Sequence, residues 1–236
     1  SNLKNAHMSV IELRSGTVAP MGKDLNHMHS TGKQSGAAYL FQRHTPCSFC
    51  NPIWSETMIF TPMNGLDDPT DAAEFGSSSK FVHEHSRNLA IIGSPGYNRG
   101  TGKVYIFTDA QGSWLLMDSL TDDNWNLDKL LGAQFGSSLD ADSDTILIGS
   151  PGYSNEKGAV YVFRRSEKGL QPFLASQVVH GPDDITEGDR FGHSLSLSGN
   201  KAVICAPFKN IGTCYIYSRV DKFSAFKLDQ QLVPSN

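Results

Sequence analysis

A three-part phrase recurs along this chain. It opens on Phe-Gly, passes through a short apolar run ending in Gly-Ser-Pro, and closes on a Tyr-x-Phe strand. Phe75-Gly76, Phe135-Gly136 and Phe191-Gly192 open three copies. Gly93-Ser94-Pro95, Gly149-Ser150-Pro151 and Cys205-Ala206-Pro207 stand in their middles, and Tyr105-Ile106-Phe107, Tyr161-Val162-Phe163 and Tyr215-Ile216-Tyr217 close them. A degraded copy comes first, with Val18-Ala19-Pro20 and then Tyr39-Leu40-Phe41. The closing tyrosines Tyr39, Tyr105, Tyr161 and Tyr215 stand 66, 56 and 54 residues apart. A period of that size marks a repeat architecture.

Each copy carries four strand-like runs rich in Val, Ile, Tyr, Phe and Thr, with Gly, Pro, Asn, Asp and Ser in the gaps. In the second copy they are 76–82, 88–94, 103–108 and 114–120. In the third they are 136–141, 145–150, 159–164 and 173–179, and in the fourth 192–198, 201–206, 213–218 and 226–233. In the first they are 9–13, 16–19, 37–42 and 54–60. Val104 and Ile106 point to one face of their strand, Tyr105 and Phe107 to the other, so both faces are apolar. Leu89–Ile92 and Thr145–Ile148 do not alternate as strands with one wet face do. Each small sheet is therefore covered on both sides. Short connections make neighbouring strands antiparallel. The expected fold is all-β: a β-propeller of four-stranded antiparallel blades. Residues 1–236 form one domain of four repeats, approximately 9–60, 75–120, 135–179 and 191–233. They make either a complete small ring or part of a larger one.

These motifs resemble the FG-GAP repeat family, the repeat of integrin α-chain propellers and of many secreted or surface-anchored proteins. The short-loop form of the family is the nearer likeness. Its acidic stretch before Phe-Gly is matched by Asp183–Gly192, and its brief first turn by Ser194–Gly199. The resemblance implies a propeller, commonly of six or seven blades, acting in adhesion or as an extracellular scaffold.

Composition narrows the field. The chain has 20 Lys and Arg against 24 Asp and Glu, a net charge of −4, so no basic face seeks phosphate and nucleic acid is excluded as a partner. No apolar run reaches the length of a membrane span. The N-terminus lacks a charged-then-apolar leader pattern, so a secreted form is expected with its leader already removed. The short stretch Asp122–Leu131 suits one turn of helix. Cys47-Ser-Phe-Cys50 lies in a Pro-rich loop, and Cys205 and Cys214 flank a hairpin. The even, locally paired count favours two short-range disulfides in an oxidising compartment. Free thiols and a half zinc site at Cys47 and Cys50 stay as alternatives.

Candidate sites divide by their surroundings. Asp140-Ala-Asp142-Ser-Asp144 alternates carboxylates as calcium loops do, but its interval is too short for a full loop and an Asx-rich hairpin turn accounts for it. No other cofactor is expected. The acidic segments Asp67–Asp71, Asp122-Asp123 and Asp183–Asp189 fall at matching places and read as a rim of carboxylates or as solvated turns. His27 and His29, and His83 and His85, each share a strand face but lack further ligands. Trp54 and Trp114, with Phe173 and Phe226 in their place later, recur as packing residues. No Gly-x-Ser-x-Gly elbow or phosphate loop occurs, and no catalytic residue is assigned. Tyr97, Asn98 and Arg99, and Tyr153 and Asn155, follow Gly-Ser-Pro-Gly on loops. Aromatics on loops either anchor partners or fold back over their blade. The chain is thus expected to be a non-enzymatic module for protein partners or self-assembly, outside the cell or at its surface, with those five residues on its working face. A carbohydrate-binding or hydrolytic propeller is one alternative, and a structural subunit of a filament or coat is another.

Overall fold

In the computed structural model, residues 36–44, 51, 53–61, 73–84, 87–110, 113–122, 131–166 and 172–234 are described. β1 (Ala38–His44) and β2 (Ile53–Phe60) form a two-stranded sheet, called blade 1. Blade 2 is β3 (Ser78–His83), β4 (Asn88–Ser94), β5 (Lys103–Ala110) and β6 (Ser113–Leu120). Blade 3 is β7 (Ser138–Ala141), β8 (Thr145–Ser150), β9 (Ala159–Arg165) and β10 (Phe173–His180). Blade 4 is β11 (Ser194–Ser198), β12 (Lys201–Ala206), β13 (Thr213–Ser218) and β14 (Lys227–Leu232). Within each blade, strands follow chain order and pair antiparallel. These are the blades of a β-propeller, as the repeats imply. The expected strands at 9–13 and 16–19 lie outside the described residues, as does most of the expected helical turn after Asp122.

The outer pair of every blade carries a β-bulge at the same place. The extra residue sharpens the twist there. In blades 1 and 3 its hydroxyl takes up a carbonyl of the strand beside it: Thr57 Oγ1 donates to Leu40 O at 3.2 Å, and Ser176 Oγ to Val162 O at 3.0 Å.

Three apolar layers lie between successive blades. Ala38 and Leu40 of blade 1 meet Ala90, Ile92, Tyr105 and Phe107 of blade 2. Leu89, Ile91, Val104 and Ile106 on the other face of blade 2 meet Ile146, Ile148, Tyr161 and Phe163 of blade 3. Leu147, Val160 and Val162 then meet Ala202, Ile204, Tyr215 and Tyr217 of blade 4. This layering explains the doubly apolar strands: in blades 2 and 3 each face of the sheet is a core.

The recurring phrase is a joint between blades. Gly36, Gly102 and Gly158, each just before a tyrosine strand (β1, β5 and β9), form parallel bridges with Phe75, Phe135 and Phe191 of the following blade. The glycine of Gly-Ser-Pro is required by close approach. A methyl at Gly93 would sit 2.1 Å from Gly136 O, and one at Gly149 2.1 Å from Gly192 O. The first-strand serines tie the same atoms, with Ser78 Oγ donating to Gly136 O at 2.6 Å and Ser138 Oγ to Gly192 O at 2.7 Å. The serine of Gly-Ser-Pro holds its own blade: Ser94 Oγ donates to Ala73 O at 2.7 Å, Ser150 Oγ to Ala133 O at 2.8 Å.

Candidate interaction surface

The loops that carry Tyr97, Asn98, Arg99, Tyr153 and Asn155 connect the second and third strands of blades 2 and 3. Both contain a turn of left-handed backbone. Asn98, Arg99 and Gly100 have φ of 48°, 60° and 79°; Ser154, Asn155 and Glu156 have 51°, 59° and 62°. L-residues resist this region by roughly 1–2 kcal/mol each. The turn persists because its carbonyls are used. The N–H groups of Gly132, Gln134 and Phe135 donate to Arg99 O, Gly100 O and Thr101 O at 3.3, 2.7 and 3.2 Å. Those of Gly188, Arg190 and Phe191 donate in the same way to Asn155 O, Glu156 O and Lys157 O at 3.3, 2.8 and 3.1 Å. The loops expected to meet a partner thus hold the next blade with their backbone and offer only side chains outward.

Those side chains separate into two sets. Tyr153 is 6% exposed, its ring 5.7 Å from that of His180. It is a packing residue rather than a displayed anchor. Tyr97 is half-buried with the Lys103 ammonium 4.9 Å above its ring. Asn98, Arg99 and Asn155 are exposed. Asn155 Nδ2 donates to Glu187 Oε1 at 3.1 Å, and Arg190 Nη2 to Glu156 Oε1 at 2.5 Å. The Arg190 guanidinium lies 4.9 Å over the ring of Phe208, which meets His193 edge-on at 6.1 Å. Phe208 and Ile211, in the corresponding loop of blade 4, are 57% and 61% exposed. Sequence reasoning passed over both, because that loop lacks the Gly-Tyr signal of its counterparts.

The acidic segments before Phe-Gly turn partly inward. The Tyr161 hydroxyl donates to Asp122 Oδ2, and burial together with that carboxylate drives the phenol far above its usual range. In blade 4 the matching Tyr215 is pushed up to about 12 by burial and by Asp184 and Asp189. Its hydroxyl is buried with no hydrogen-bond partner, because Lys209 Nζ takes Asp184, 3.1 Å from its Oδ2. The same substitution should therefore differ in outcome between blades. Tyr161→Phe removes a donor from the Asp122 carboxylate and should cost about 1–3 kcal/mol in urea unfolding, whereas Tyr215→Phe should be neutral within about 0.5 kcal/mol or slightly stabilising. Asp67, Asp68, Asp71 and Asp123 lie outside the described residues.

Asp140, Asp142 and Asp144 do not form one donor set. Asp140 is buried among the inner strands, 2.7 Å from Lys80 Nζ and accepting Leu197 N–H at 2.7 Å. Burial pushes its carboxyl up, but the Leu197 and Ala141 N–H groups and the Lys80 ammonium more than offset this and hold it below the usual range. Asp142 Oδ1 accepts the N–H groups of Asp144 and Thr145 at 2.9 and 2.8 Å, an Asx turn. Asp144 faces Lys222 at 3.7 Å. Lys80 of blade 2 and Lys222 of blade 4 thus sit where a metal reading would place calcium. His83 Nδ1 lies 2.5 Å from Asn88 Oδ1; His27, His29 and His85 lie outside the described residues. Cys205 and Cys214 form a disulfide across β12 and β13, while Cys47 and Cys50 also lie outside.

Two arginines that sequence reasoning missed clamp the opposite end of the blades. Arg219 is buried, donating to Thr145 Oγ1 of blade 3 at 2.9 Å and to Gly199 O at 3.0 Å, with its guanidinium 4.8 Å over Phe226. Arg165 repeats the device one blade earlier: it stacks on Phe173 at 4.8 Å, donates to Ser143 O at 2.6 Å and pairs with Glu84 of blade 2.

The family described as FG-GAP repeat matches residues 127–163 and 181–217. The chain carries FG-GAP repeats. Both matches span the Phe-Gly turn, the second strand and most or all of the closing tyrosine strand, the parts that form the joint. Blade 2 shares with both matched segments the phenylalanine bridge to the preceding blade. No curated protein matches the chain. No helix among the described residues is long and apolar enough to cross a membrane.

Proposed function

We propose that this FG-GAP chain is a non-enzymatic interaction module, working outside the cell or at its surface in adhesion, scaffolding or assembly, with a protein partner. The observation that carries the reading is the exposed pair Phe208 and Ile211, with Arg190 and His193 against the Phe208 ring. Aromatic and aliphatic anchors ringed by polar groups are the usual core of a protein contact. Asn98 and Arg99 extend the same loop end across blade 2. At Asn98, Arg99 and Asn155 the backbone beneath is fixed by the joints, so these side chains are held for contact at little ordering cost. The polar groups nearby are paired with one another, Glu156 with Arg190 and Asn155 with Glu187, which suits display better than proton transfer. The Cys205–Cys214 disulfide supports an oxidising compartment.

Adhesion assays test this reading. A surface coated with the chain should retain cells or extracellular matrix. The double variant Phe208→Ser/Ile211→Ser should retain at least about tenfold less, with a melting temperature within about 2 °C of the parent. Equal retention by the two proteins would remove the loop end from the mechanism.

A further inference from the structure

The loop between β13 and β14, residues 219–226, carries the two most exposed large apolar side chains among the described residues. Val220 is 88% exposed and Phe223 63%. The main chain beneath them is held throughout. Every carbonyl from Val220 to Ser224 has a donor. Asn200 Nδ2 donates to Val220 O at 3.1 Å, the Ser224 N–H to Asp221 O at 3.2 Å and Arg219 Nη1 to Lys222 O at 3.5 Å. The Arg164 guanidinium of blade 3 donates to both Phe223 O and Ser224 O. Asp221 Oδ1 accepts the N–H groups of Phe223 and Ser224, each at 2.8 Å. Past the tip, the Gln177 amide of blade 3 takes both main-chain groups of Phe226, at 2.8 and 2.9 Å. The loop thus leans on blade 3, and blades 3 and 4 themselves set its position. A loop satisfied in this way can be covered without stranding a polar group, and pinned side chains lose little freedom on contact.

The order along the tip is apolar, acid, base, apolar: Val220, Asp221, Lys222, Phe223. That order is its own complement. About a two-fold axis between residues 221 and 222, Val220 of one copy meets Phe223 of the other, and Asp221 meets Lys222, each pair occurring twice. The charges can be spared for this use. Lys222 faces Asp144 only as an exposed pair at 3.7 Å, a contact of little worth, and Asp221 engages its own loop through Oδ1. We propose that this loop is a self-association site, at which a second copy of the chain docks tip to tip. Hydrogen bonds from the Ser224 hydroxyl and the Phe223 N–H hold the Asp221 carboxyl below the usual carboxylate range, and a charge kept at the tip disfavours a lipid surface. Four apolar side chains make a small contact, so the dimer is weak and transient. The proposal stands apart from the adhesive reading. The loop lies at the end of blade 4 opposite Phe208 and Ile211, and leaves both uncovered.

Analytical ultracentrifugation of the full chain tests this. Between about 10 and about 300 µM the parent should show a reversible rise toward dimer mass, as a contact of this size gives. Val220→Ser/Phe223→Ser should associate at least about tenfold more weakly, with a melting temperature within about 2 °C of the parent. Lys222→Glu, which sets acid against acid across the axis, should weaken association at least about fivefold, while Lys222→Arg should hold it within about twofold. A parent that stays monomeric would overturn the proposal, whether the loop then proved to hold cells in the adhesion assay or to carry the chain onto phosphatidylcholine–phosphatidylserine vesicles. Association unchanged by the double serine variant, or by Lys222→Glu, would overturn it too.

Discussion

Gly149→Ala should be among the most damaging single changes in this chain, lowering unfolding free energy by about 4 kcal/mol or more. The added methyl would sit 2.1 Å from the Gly192 carbonyl oxygen and equally close to Ser138 Oγ. Both atoms belong to the joint, and the carbonyl cannot retreat without carrying the Phe191 bridge with it. Blade 4 would have to shift as a body. Gly188→Ala supplies the contrast: nothing lies within 4 Å of a methyl there, although φ is 87°. It should cost only the left-handed strain, roughly 1–2 kcal/mol. Chemical denaturation of the pair measures the difference. Equal losses would mean that blade spacing yields more readily than the bridges suggest.

Arg219→Ala should cost about 3 kcal/mol or more. The side chain is nearly inaccessible and holds Thr145 of blade 3 and Gly199 of its own hairpin at once. Truncation takes the donor from the buried Thr145 hydroxyl and from Gly199 O, and uncovers the Phe226 ring. Arg219→Lys should recover less than half of the loss, because an ammonium cannot fork to both acceptors and stacks poorly. Thermal or urea unfolding checks both variants. A lysine variant as stable as the parent would reduce the clamp to simple charge.

Strand positions were legible because the repeat stamps them. Asn88–Ser94, Thr145–Ser150, Lys201–Ala206 and Thr213–Ser218 fall where the apolar runs place them. Doubly apolar strands correctly announced sheets covered on both faces. The working loops were read less well, and for a physical reason. Asn98-Arg99 and Ser154-Asn155-Glu156 adopt left-handed backbone that no side chain among them demands. The conformation is imposed by N–H groups of the following blade, far along the chain. Tyr153 is buried by the same joint. The arginine clamps did leave a trace, since Arg165 and Arg219 each end or follow a closing strand and precede the Phe on which they stack. That pairing becomes visible only once the two strands are known to be neighbours. Phe208 and Ile211 carried no motif at all; exposure alone reveals them.

At the joints, each blade meets its neighbour mostly through main-chain atoms: a glycine bridge, a carbonyl that meets a serine, and a row of carbonyls turned toward amides. Such a contact is indifferent to most side-chain identity. Units joined this way can drift apart in composition and remain interchangeable, and a duplicated unit inserted into the middle of the array would find its connections already in place. Copy number is then free to change by simple insertion.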